Sequence, residues 1–112
     1  MYNELKKIQE KFKPIIKPGH YMFIAPSDKN ELLKFIEIAN KYAPRVSISR
    51  TVHQVLSSEI AIDKAVSNYP SSTPFEIFVV TDATQRQLLP NTSLKDYCET
   101  IGIDYNSIVN SN

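Results

Sequence analysis

The side chains able to carry covalent or metal chemistry are few in this chain, and their spacing joins none of them into a site. Among 112 residues there is one cysteine, Cys98, and there are two histidines, His20 and His53. Neither histidine stands with Asp28, Asp63 or Asp82 at a metal-ligand spacing such as His-Glu-x-x-His, in which two ligands return to one helical face. With only Gly19 and Gly102, no glycine-rich phosphate loop of the Gly-x-x-x-x-Gly-Lys or Gly-x-Gly-x-x-Gly kind can be built. No Ser, His and Asp can be singled out as a triad. Cys98 recurs with Leu94, Tyr97 and Ile101 at three- and four-residue steps, so it reads as a small buried hydrophobe rather than a nucleophile or ligand. The expectation is binding without catalysis, with no cofactor and no metal.

The pattern that does carry information is C-terminal, from Asn91 to Ile108. Thr92 or Ser93 can cap a first helix by accepting from an unpaired amide of its first turn. Gly102 follows Ile101 at once, where the helix must end and the backbone can need a positive φ. Ile103 and Ile108 bracket a second short helix whose apolar side returns to the first. Two helices joined through a short turn containing Gly form the corner of a DNA-binding helix-turn-helix. An ordinary packed helical corner would satisfy the same spacing. The expected helices are Thr92–Ile101 and Asp104–Val109, with Leu94, Cys98, Ile101 and Ile108 buried together.

Upstream, Phe75–Thr81 is rich in β-branched and aromatic residues and reads as a strand, covered on both faces and therefore central. Asp82–Gln85 reads as a turn, and Gln87–Leu89 as a returning strand stopped by Pro90. Strand, polar turn, strand and then Asn-x-Ser-Leu-Lys-Asp-Tyr-Cys-x-x-x-Gly-Ile-x-Tyr-x-Ser-Ile resembles the small modular DNA-binding segments attached to phage HNH and GIY-YIG homing endonucleases. The resemblance covers Phe75 to Ser111 and rests on Asn91, Leu94, Tyr97, Cys98, Gly102, Ile103, Tyr105, Ser107 and Ile108. It implies DNA contact through the second helix, at Asp104, Tyr105, Asn106, Ser107 and Asn110, and it reaches only the binding tail of those enzymes, whose catalytic cores are absent.

Charge is distributed less evenly than the net of +1 suggests. Lys6, Lys7, Lys11, Lys13 and Lys17 give the first twenty residues a local net of +3, whereas residues 71–112 carry −3. From Ala83 onward only Arg86 and Lys95 stand against Asp96, Glu99 and Asp104. That half supplies little of the counterion-release term that dominates DNA affinity. The N-terminal lysines are either a solvated helix face or a phosphate-contacting one that supplies the missing cations. A near-neutral chain with an acidic C-terminal half also suits a protein-interaction module that binds a host protein. There is no apolar run long enough to span a bilayer, the first residues are polar rather than signal-like, and a lone cysteine fits a reducing cytoplasm.

The remaining elements follow from periodicity. Leu5, Ile8 and Phe12 share one face of a first helix that Pro14 ends. Lys17-Pro-Gly-His20 is a turn, flanked by Ile15-Ile16 and Tyr21–Ile24 in a short hairpin or a bend into a strand. Ser27 or Asp28 caps a helix with a wide apolar stripe of Leu32, Leu33, Phe35, Ile36, Ala39 and Tyr42, closed by Pro44. Arg45–Val52 alternates as a strand whose outward Arg45, Ser47, Ser49 and Thr51 either bond phosphates or simply meet solvent. A third helix carries Val55, Leu56, Ile60, Ile62, Ala65 and Val66, and Tyr69–Pro74 links the two halves.

These elements predict one compact α+β domain, residues 1–112: an α/β half (1–69) with an N-terminal helix and a βαβα-like unit, and a hairpin plus helix-turn-helix half (75–112). The expected function is non-catalytic DNA binding by a small regulator or accessory factor of phage or mobile-element type. Tyr105, Asn106, Ser107 and Asn110 would meet the DNA, while Arg86, Lys95, Lys6, Lys7, Lys11 and Arg45 hold its backbone.

Overall fold

The structure, a computed structural model, describes residues 2–42, 58–80 and 92–110. The expected strand Arg45–Val52, the turn and strand at Asp82–Leu89, and with them His53, Val55, Leu56, Arg45 and Arg86, lie outside the described residues. Among the described residues the order is α1 (Tyr2–Phe12), β1 (Tyr21–Pro26), α2 (Lys29–Tyr42), α3 (Glu59–Val66), β2 (Phe75–Val80), β3 (Thr92–Ser93), α4 (Leu94–Ile101) and α5 (Tyr105–Val109). These described residues form a mixed α+β fold with an N-terminal helix and a three-stranded antiparallel sheet, β2 in the centre.

Period-two alternation along the strands distributes the core between the two faces of the sheet. Phe23 and Ala25 of β1 and Phe78 and Val80 of β2 meet Leu32, Phe35 and Ala39 of α2 and Ala61, Ile62 and Ala65 of α3. On the opposite face Ile24, Ile77 and Val79 meet Phe12 of α1 and Leu94, Tyr97 and Cys98 of α4. The strand Phe75–Val80 is thus covered on both faces, as the apolar run Ile77–Val80 requires. Because β1 precedes the Tyr69–Pro74 link and β2 follows it, this pairing joins the two sequence halves across one sheet.

Local signals set most element ends. Asp28 accepts from the Asn30 amide (2.8 Å) and caps α2; Ser58 accepts from Ala61 and caps α3. Beyond Phe12 the chain bends, with the amides of Ile15 and Ile16 donating to the Phe12 carbonyl. It then makes the Lys17–His20 turn, closed by the His20 amide on the Lys17 carbonyl (3.0 Å), with Pro18 presetting φ and Gly19 at φ 85°. Ile15 and Ile16 therefore belong to a bend, and the strand begins at Tyr21.

Three expectations are corrected. Leu33 and Tyr42 lie outside the buried stripe of α2, 49% and 40% exposed, because the face on α3 and the sheet is filled by Leu32, Phe35 and Ala39; the Tyr42 ring lies instead under the Lys64 ammonium (5.5 Å). Ile60 opens α3 on the side away from Ala61 and Ala65 and is 63% exposed. Thr92 is not helical but pairs with Val79 in β3, since the cap at Ser93 must itself be extended (φ −74°, ψ 159°). No helix among the described residues is long and apolar enough to cross a membrane.

Candidate nucleic-acid interface

The C-terminal corner consists of two separate helices, and each end has a physical cause. The Ser93 hydroxyl accepts from the Asp96 amide (3.2 Å) to start α4, and Asp96 itself sits in the first turn, where the helix dipole favours an anion. At the other end Gly102 is left-handed (φ 76°, ψ 29°). Its amide donates to the Glu99 carbonyl (3.3 Å) and that of Ile103 to the Cys98 carbonyl (2.8 Å), the paired bonds of a Schellman termination. Asp104 then caps α5 through the Asn106 amide (3.2 Å).

The corner is anchored on α1. Phe12 is fully buried and stacks on Tyr105 with ring centroids 5.4 Å apart. Ile101, Ile103, Ile108 and Val109 pack on the same cluster, which leaves Asn106, Ser107 and Asn110 together on the exposed face of α5. Lys11 donates from Nζ to the Val109 carbonyl (2.8 Å), a cation placed on a carbonyl of the last helical turn, as the helix dipole favours. Lys7, one turn earlier on α1, is exposed on the same flank.

The residues expected to bind nucleic acid therefore separate. Asn106, Ser107, Asn110, Lys7 and Lys11 are exposed around one end of α5, and Lys95 is exposed on α4. Tyr105 is half-buried, its ring stacked on Phe12, and burial, then the nearby Cys98 and Glu76, pushes its hydroxyl pKa upward; this stack anchors α5. Lys6 lies on the other flank of α1, in an ion pair with Asp63 of α3 (3.0 Å). Arg45 and Arg86 lie outside the described residues. The acids Glu4 on α1, Asp96 and Glu99 on α4 and Asp104 at the start of α5 are also exposed.

Periodicity places Tyr97 on an apolar face and gives no sign of what its polar end does. Its ring is buried, and its hydroxyl accepts from the Lys17 amide (3.2 Å) and meets His20 Nδ1 (3.1 Å), fastening the Lys17–His20 turn to α4. A tyrosine on an apolar stripe needs a partner for its hydroxyl when buried, which is the one signal that could have flagged it. Cys98 is buried, and that burial raises its thiol pKa, the opposite of what a nucleophile needs. Comparison with protein families, curated proteins and solved structures found no match.

Proposed function

We propose that the chain is a non-catalytic DNA-binding protein, a small regulator or accessory factor that offers α5 to the duplex. The observation that supports this reading is the docking of Lys11 on the end of α5. It brings the Lys7–Lys11 flank of α1 beside Asn106, Ser107 and Asn110, and base contacts specify only where phosphate contacts position the helix. Asn106 supplies an amide of the kind that pairs with adenine edges, Ser107 a hydroxyl, and Lys7, Lys11 and Lys95 the phosphate partners. Three such cations imply weak binding with a salt slope of roughly −3 in log K against log salt.

A protein-interaction module is the second reading. It is favoured by the exposed acids Asp96, Glu99 and Asp104 of the C-terminal corner and by the engagement of Lys6 and Lys13 with Asp63, Glu10 and Glu59. Fluorescence anisotropy against generic duplex at two salt concentrations separates the two. The DNA reading expects salt-sensitive saturation that weakens uniformly across sequences, with a flatter salt slope, in a Lys7→Ala/Lys11→Ala variant. Absence of saturation in low salt leaves the protein-interaction reading.

A further inference from the structure

On the side of α1 away from α5 lies a groove of about 350 Å³, walled by α1, the Lys17–His20 turn with the start of β1, and α3. That volume is at the lower end of the ~300–1,000 Å³ typical of small-molecule sites. Ile16 and Ile62 contribute apolar surface, while the rim carries Lys6, Lys13, Lys17 and His20 against Glu59 and Asp63. The charges are unequally engaged. Lys6 is held by Asp63, which also accepts from the Tyr2 hydroxyl, so this pair closes one end of the groove. Lys13 reaches Glu10 at 2.9 Å and Glu59 at 3.9 Å, all three side chains being more than half exposed. Surface pairs of that kind are weak and exchange readily for a better anion.

Lys17 adds an ammonium on the opposite wall, and the wall is preformed. Its backbone amide and the His20 ring are both fastened to the buried Tyr97, and Pro18-Gly19 fixes the turn between them. Preorganisation of this sort spares a ligand the cost of ordering its own site. The donors among the described lining residues are compact ammonium groups and an imidazole. An ammonium binds phosphate as a compact point charge, and such groups line this groove on two of its walls.

We propose that this groove binds a small phosphate monoester, with the phosphate between Lys13, Lys17 and His20 and an apolar or planar body lying along Ile16 and Ile62. The site is separate from the α5 surface, and its occupancy does not depend on whether the chain binds DNA.

The test is an amide-shift NMR titration of the full chain with 5′-AMP, inorganic phosphate and adenosine in parallel. AMP is expected to saturate in the submillimolar to millimolar range, tighter than phosphate, and phosphate tighter than adenosine, with shifts centred on Lys13, Lys17–His20 and Ile62. Lys17→Ala and Lys13→Ala should each weaken AMP about tenfold, whereas Lys34→Ala on α2 should not change it. No saturation by ~10 mM AMP, a different order of the three probes, or a titration unchanged in the Lys13→Ala/Lys17→Ala double variant would overturn the proposal. Lys17 is exposed, so its variant keeps the fold intact when Lys13→Ala perturbs α1.

Discussion

Replacing Gly102 with Ala isolates the backbone strain on which the C-terminal corner depends. A Cβ added at Gly102 meets nothing within 4 Å among the described residues, so sterics with them contribute no cost. What remains is the left-handed backbone at φ 76°, worth about 1–2 kcal/mol for an L-residue with a Cβ. A domain of this size loses roughly 4 °C in Tm per kcal/mol, giving an expected fall of about 4–8 °C. Gly102→Asn should fall less, because Asn tolerates this conformation through local hydrogen bonding. Urea unfolding and a thermal melt monitored by circular dichroism measure both variants. A loss above about 4 kcal/mol would mean that a neighbour crowds the site. No loss at all would mean that the backbone is not left-handed there, and that α4 and α5 do not meet as described.

Two further outcomes follow from the packing under the corner. Phe12→Ala removes a fully buried ring and its stack on Tyr105, and should cost about 3–5 kcal/mol in urea unfolding; a loss under about 1 kcal/mol would show that α1 does not carry α5. Cys98 and Tyr105 both have native pKa values raised by burial, so the native state favours their protonated forms. Their contribution to stability is complete below the ordinary values of 9.0 and 10.0 and is lost as pH rises through the native ones. The urea midpoint should therefore decline on the alkaline side, and Cys98 should react with a thiol reagent only as the protein unfolds; rapid native labelling would contradict its burial.

What the sequence disclosed was local. Gly102, the Ser93 cap, the end of α1 before Pro14 and the double-faced run Phe75–Val80 are written in residues a few positions apart, and the structure has each of them. Non-local pairings were not readable. Lys6, Lys7, Lys11 and Lys13 look equivalent along the chain, yet α1 turns Lys6 and Lys13 toward α3 and leaves Lys7 and Lys11 on the side of α5. Tyr105 carries a polar group at a position that could face outward, and only the arrival of Phe12 from the other end of the chain explains why it faces in. Leu33 misled for the opposite reason, since periodicity counts an apolar residue without knowing which neighbour comes to cover it.

An amide-shift NMR footprint with a generic duplex in low salt tests the proposal that α5 and the adjoining flank of α1 bind DNA. Perturbations should concentrate on Asn106, Ser107 and Asn110 together with Lys7 and Lys11, sparing α2 and the groove beside α3. Shifts centred on another surface, or none at concentrations where non-specific binding of ~10⁻⁴–10⁻⁶ M would be populated, would contradict it.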